Sequence, residues 1–152
     1  MKKIQFTQTI NASVDSVYDA MLGISSKKTY EQWTAVFNPT STYEGTWEEG
    51  SRMYFVGENE KGEKGGMISE IVKNTPNQFV SIKHIGMLQG DKELLEGPEV
   101  ESWAGCLENY TFKENKGVTT VIVELDGMEG HEDYFNETYP KSLQKLKEIS
   151  EI

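Results

Sequence analysis

With 152 residues, of which 36% are hydrophobic, 26% charged and 11% aromatic, the chain has the balance of a folded globular protein and the length of a single domain spanning 1–152. A formal net charge of −10, with Arg52 as the only arginine, repels phosphate-rich partners and argues against nucleic acid and anionic membrane surfaces. One cysteine forbids an internal disulfide, no stretch approaches the roughly 20 apolar residues of a membrane span, and the N-terminus lacks a signal peptide's apolar run. Together these predict a cytoplasmic protein with no membrane insertion.

The opening "KIQFTQTI" alternates, with Ile4, Phe6, Gln8 and Ile10 on one face, and reads as a strand. In "NASVDSVYDAML", Ser13 is an N-cap, and Val14, Val17, Tyr18, Met21 and Leu22 recur at helical spacing until Gly23 ends the helix. A second short helix is predicted over "SKKTYEQWTAVF", closed by Asn38–Pro39. The pattern then changes to strands and tight turns. "TSTYEGTW" and "SRMYFVGENE" are strands joined by "EEG"; "EKGEKGG" is a charged hairpin tip leading into "MISEIVKN"; "TPNQ" turns the chain into "FVSIKHIGM". The irregular, acidic "LQGDKELLEGPEVES" reads as a long mobile loop, and "DKELLEGPEVE" within it as either a lid over a cavity or plain surface. "WAGCLENYTFKE", the turn "NKG" and "VTTVIVELDG" form a last hairpin.

The chain closes on "HEDYFNETYPKSLQKLKEISEI", where Phe135, Tyr139, Leu143, Leu146 and Ile149 form one helical stripe, with a kink predicted at Pro140. The predicted class is therefore α+β. A curved seven-stranded antiparallel sheet wraps around a long C-terminal helix, with two short helices between strands one and two. A single helix does not cover such a sheet completely, so a cavity is expected between them.

Within "CLENYTF", strand parity puts Cys106, Glu108, Tyr110 and Phe112 on one face, and across the turn Val121, Val123 and Leu125 form a matching apolar row. Glu108 then points a carboxylate toward the core, where it needs a donor. A β-bulge near Gly105 that turns it outward is the alternative. In "FVSIKHIG", Val80, Ile82 and His84 share a face, making His84 either the partner of Glu108 or a half-buried histidine satisfied at the strand end. Cys106 lies in no activating turn and reads as structural. No Gly-rich phosphate loop and no HExxH pair is present, so no cofactor and no metal are expected.

The order and spacing of "INASVDSVYDAML", "YEGTWEEGSRMYFVG", "GGMISEIVKNTPNQFVSIK", "ENYTF" with "GVTTVIVELD", and "YPKSLQKLKEI" resemble the START-like or SRPBCC superfamily, the helix-grip fold of pollen allergens and lipid-transfer domains. The likeness is greatest to the branch named for activators of the heat-shock-protein-90 ATPase. The resemblance implies a ligand cavity lined by the final helix, making Phe135 and Tyr139 contact candidates, with an opening near the short helices where Trp33 and Trp103 sit. Met53 and Phe55 share a strand face toward the same space, as do Val80, Ile82, Tyr110 and Phe112. Met67 lies on a strand of less clear alternation, and Trp47 reads as ordinary packing.

Parity and resemblance together point to binding of a small apolar or amphipathic ligand, oriented by Glu108 and His84. The resemblance also implies two alternatives. One is a co-chaperone-like interaction domain with a chaperone partner. The other is a cavity enzyme with Glu108 and His84 as candidates for general acid or base. A monomer or weak homodimer is the expected assembly.

Overall fold

The computed structural model describes residues 3–126 and 131–151. In chain order the elements are β1 (Lys3–Ile10), α1 (Val14–Leu22), α2 (Lys27–Thr34), β2 (Thr42–Gly45), β3 (Arg52–Glu58), β4 (Lys64–Thr75) and β5 (Phe79–Gln89). There follow β6 (Lys92–Leu94), α3 (Pro98–Glu101), β7 (Cys106–Asn115), β8 (Val118–Asp126) and α4 (Glu132–Ser150). Gly127 and Ile152, read above as ends of the last strand and last helix, lie outside the described residues. Among the described residues no helix is long and apolar enough to cross a membrane.

Seven strands form one antiparallel path in the order β1-β8-β7-β5-β4-β3-β2, and β6 pairs with β5 off that path. The α+β arrangement expected from the sequence is the one observed: two short helices between β1 and β2, and a long C-terminal helix packed on the sheet. The stretch read as a mobile loop is a correction. Met87–Leu94 and Leu88–Glu93 pair across a turn at Gly90, so β5 runs on and β6 fills the place beside it that β7 leaves vacant. α3 then buries Val100 completely. Local turn chemistry at "QGDK" prevails over the irregular apolar pattern that suggested a loop.

α1 buries Val17, Met21 and Leu22 completely on one face. Its Ser13 cap differs from expectation: the hydroxyl bonds to Ser16, while the Val14 N–H is satisfied by Glu114 Oε1 at 2.7 Å from the β7–β8 hairpin. At the other end Gly23 takes φ 70°, a left-handed conformation that glycine adopts without a Cβ clash. The carbonyls there find aromatic donors. Trp33 Nε1 reaches Met21 O at 2.9 Å, Trp47 Nε1 reaches Leu22 O at 2.9 Å, and the Tyr43 hydroxyl reaches Gly23 O at 3.1 Å. This pull also explains why the strand predicted across "TSTYEGTW" stops at Gly45: Trp47 leaves the ladder to pack under α1.

α4 runs from Glu132 to Ser150 with Pro140 inside it, burying Tyr139, Leu143 and Leu146 against the sheet side. Two register shifts mark the β4–β5 pairing. Ile85 is skipped between Gly86 and His84, and Val72 between Ile71 and Lys73. Each extra residue inverts the inward–outward sequence of its strand. Val80, Ile82 and His84 therefore face the helices, and beyond Ile85 it is Met87, opposite Met67, that does so. The outward residues Val56, Ile68 and Leu88 form a small separate cluster.

Candidate functional site

β7 keeps an uninterrupted register with β8 from Glu108–Leu125 to Asn115–Val118, and with β5 from Phe79–Thr111 to His84–Cys106. No bulge intervenes, so the parity of "CLENYTF" holds and Glu108 faces the helices. Its ladder neighbours are Ile82 and Leu125. His84 lies diagonally across the β5–β7 pair, within reach of a long side chain. His84 Nε2 stands 2.9 Å from Glu108 Oε1, and the two side chains are 11% and 16% exposed. On the other side of the imidazole, Ser69 Oγ lies 2.7 Å from Nδ1. From α4, the Tyr139 hydroxyl donates to Glu108 Oε2.

These contacts set the roles of the groups. Tyr139 O–H donates to Glu108, and with the imidazole proton on Nε2 His84 donates to it as well, leaving Nδ1 to accept from Ser69. Burial, reinforced by the charge of Glu108, holds the Tyr110 and Tyr139 phenols well above the usual tyrosine range, so both remain protonated donors. Tyr30 is raised in the same way, chiefly by burial. The result is a continuous polar chain, Ser69–His84–Glu108–Tyr139, set in a mostly apolar wall that also holds Asp126. Among the described residues no group of three His, Cys, Asp or Glu is placed to hold a metal ion.

The chain of contacts borders a chamber of about 250 Å³ between sheet, α2 and α4. Of the residues singled out from sequence, Trp33, Phe55, Ile82 and His84 line it. So do Glu108, Tyr110, Phe135 and Tyr139. A wider cleft of about 990 Å³ adjoins it, with Tyr30, Phe37, Phe55 and Met67 lining both spaces.

Met53, Val80 and Phe112 do not line the chamber and belong to the packed core. The reason is position along the strands. The chamber lies where β7 begins, whereas Val80 and Phe112 sit further along the strands, Phe112 against α1. There the Tyr18 ring meets Phe112 edge-on at 5.5 Å and fills the space. Met53 is fully buried with its sulfur against Gly45. Trp33 is 1% exposed and is a wall residue rather than a gate. Trp103 bonds to Glu99 O and lines neither space. The 91–101 segment, offered as a lid, borders neither space.

Sequence reading missed Tyr30, Phe37, Ser69 and Asp126. Tyr30 had a usable signal, because it precedes Trp33 by three residues on one helical face. Ser69 shares the inward face of Met67 and Ile71 on β4, but that His84 rather than Ile85 lies opposite it depends on the bulge at Ile85, which gave no signal.

No family model matches the sequence, and no curated protein matches it. Solved structures do. The Aha1 dimer from Colwellia psychrerythraea superposes with a TM-score of 0.68 at 20% identity, covering 100% of this chain and 98% of that one. The chain has the helix-grip fold of Aha1 from end to end. A Nitrosomonas europaea protein matches at TM-score 0.71 and 13% identity, covering 96% of this chain and 92% of that chain. An Arthrobacter aurescens protein matches at 0.72 and 10%, covering 97% and 85%. At such identities the likeness extends to the fold and leaves the chemistry of the chamber to its own residues.

Proposed function

We propose that the chain is a small-molecule binding domain whose inner chamber takes an apolar or amphipathic ligand and orients its polar group at Glu108. The observation that carries this reading is the chamber's composition: aromatic walls from α2, β3 and α4 around one hydrogen-bonded polar corner. At about 250 Å³ the chamber is small beside typical ligand pockets of roughly 300–1,000 Å³, so a larger ligand would extend into the adjoining cleft. The test is titration with the uncharged fluorophore N-phenyl-1-naphthylamine. The expected result is saturable enhancement at one site per chain, weakened about tenfold by Phe135→Ala, equivalent to about 1.4 kcal/mol of lost contact. Non-saturable enhancement, or the same affinity in Phe135→Ala, would count against it.

The Ser69–His84–Glu108–Tyr139 chain supports a second reading, a cavity enzyme in which Glu108 exchanges a proton with a bound substrate and His84 relays it. That reading requires Glu108→Gln to abolish turnover while circular dichroism shows an unchanged fold. Persisting turnover would remove the role. The likeness to Aha1, solved as a dimer, supports weak self-association and an interaction role as a third possibility.

A further inference from the structure

We infer that the ligand of the chamber is an organic cation, an amine or quaternary ammonium head on an aromatic or short aliphatic body, with its head at Glu108. The inference rests on the binding reading above and narrows it to a charge class.

Charge on the lining points one way. Among the described residues around the chamber are two carboxylates, Glu108 and Asp126, and no lysine or arginine. Asp126 is fixed there because its Oδ2 accepts the Leu107 N–H at 2.9 Å, and its charge is felt at the wall, where with burial it raises the Cys106 thiol. The adjoining cleft does not reverse the balance. Its lysine, Lys64, is bound to Glu44 at 2.7 Å, while Glu58 and Glu63 border the same space. An anionic head would therefore enter beside two carboxylates with no lysine or arginine to meet it, the one imidazole, His84, being already bound to Glu108.

The donors of the chamber are also committed. Tyr139 and His84 donate to Glu108, and Tyr110 hydrogen-bonds within the same group, so few donors are left for a carboxylate or phosphate. Acceptor capacity remains, because a carboxylate offers about four lone-pair directions and His84, Tyr139 and Tyr110 occupy three of them. The same chamber is lined by the rings of Trp33, Phe37, Phe55 and Phe135. Aromatic faces attract a cation through their quadrupole and equally accept an apolar body. The net charge of −10 adds a long-range field that draws cations and repels anions.

Three probes of nearly one shape isolate the head group: 2-naphthylmethylamine, 2-naphthalenemethanol and 2-naphthoate, each titrated calorimetrically into the full chain at neutral pH. The amine is expected to bind at least tenfold tighter than the alcohol, and naphthoate more weakly than either. Glu108→Gln is expected to cut the amine's advantage over the alcohol to the few-fold share that Asp126 supplies, and an unchanged advantage would overturn the placement of the head at Glu108. High salt should leave most of the amine's advantage in the wild type, since a desolvated contact is screened little. Alcohol binding as tightly as the amine, or naphthoate binding best, would overturn the cation assignment while leaving the chamber a binding site. Loss of the advantage in high salt would overturn it too, by placing the effect on the general surface field. No binding of any probe would overturn the assignment together with the binding reading. If Glu108→Gln does not fold, Asp126→Asn takes its place, with a several-fold loss of the amine's advantage expected and an unchanged ratio refuting the assignment.

Discussion

Truncating Phe112 and Phe135 to alanine removes the same ring from two different surroundings. Phe112 is 4% exposed, sits beside Val121 on β8 and meets Tyr18 edge-on at 5.5 Å. Its removal opens a closed void between α1 and the sheet, for which Phe→Ala substitutions cost about 3–5 kcal/mol. In a chain of this length each kcal/mol lowers Tm by about 2–4 °C, so Phe112→Ala should melt about 6–20 °C lower. Phe135 is partly buried, packs on Tyr134 at 5.5 Å and Tyr139 at 6.3 Å, and borders a space that is already open. Its loss creates no new enclosed cavity, only the exposure of part of a side chain worth about 1.5–3 kcal/mol when fully buried, so a cost near 1 kcal/mol is expected. Thermal melts followed by circular dichroism separate the two stabilities, and naphthylamine titration well below both midpoints separates their effects on the chamber. Phe112→Ala should be the unstable variant with normal capture, and Phe135→Ala the stable variant with weakened capture. The opposite pairing would refute the division between core and wall drawn from the position of α1.

Alkaline titration tests the buried phenols. Tyr30, Tyr110 and Tyr139 have folded-state values above the ordinary value near 10, so folding holds their protons more tightly than the unfolded chain does. Their contribution to stability is complete below pH 10 and is lost above it, at about 1.4 kcal/mol per pH unit for each. Ultraviolet titration should show these three ionising only as the protein unfolds, and simultaneous ionisation of all seven tyrosines in the folded state would contradict the burial. The Tyr139–Glu108 contact is tested by a double-mutant cycle in denaturant. Tyr139→Phe should cost about 1–3 kcal/mol in the native background, because a donor to a charged group is lost. In a Glu108→Leu background it should cost little, and equal costs in both would mean that the two groups are not coupled.

Strand alternation alone determined much of this protein. Because side chains alternate with period two whatever the partner strand, "CLENYTF" already placed Glu108 with Cys106, Tyr110 and Phe112, and the row of Val121, Val123 and Leu125 already stood opposite. Helical spacing likewise marked the buried faces of α1 and α4. The tertiary structure decided what those faces meet. Ser69, His84, Glu108 and Tyr139 come from three strands and a helix, and their convergence depends on the bulge at Ile85, which no local pattern announces. It also decided which inward rings are core and which are wall. Val80 and Ile82 share a face and a β-branched aliphatic side chain, yet both pack in the core and only Ile82 borders the chamber. Periodicity is a property of one segment and is written along it, whereas a cavity is what several segments jointly leave unfilled, so only their packing defines it.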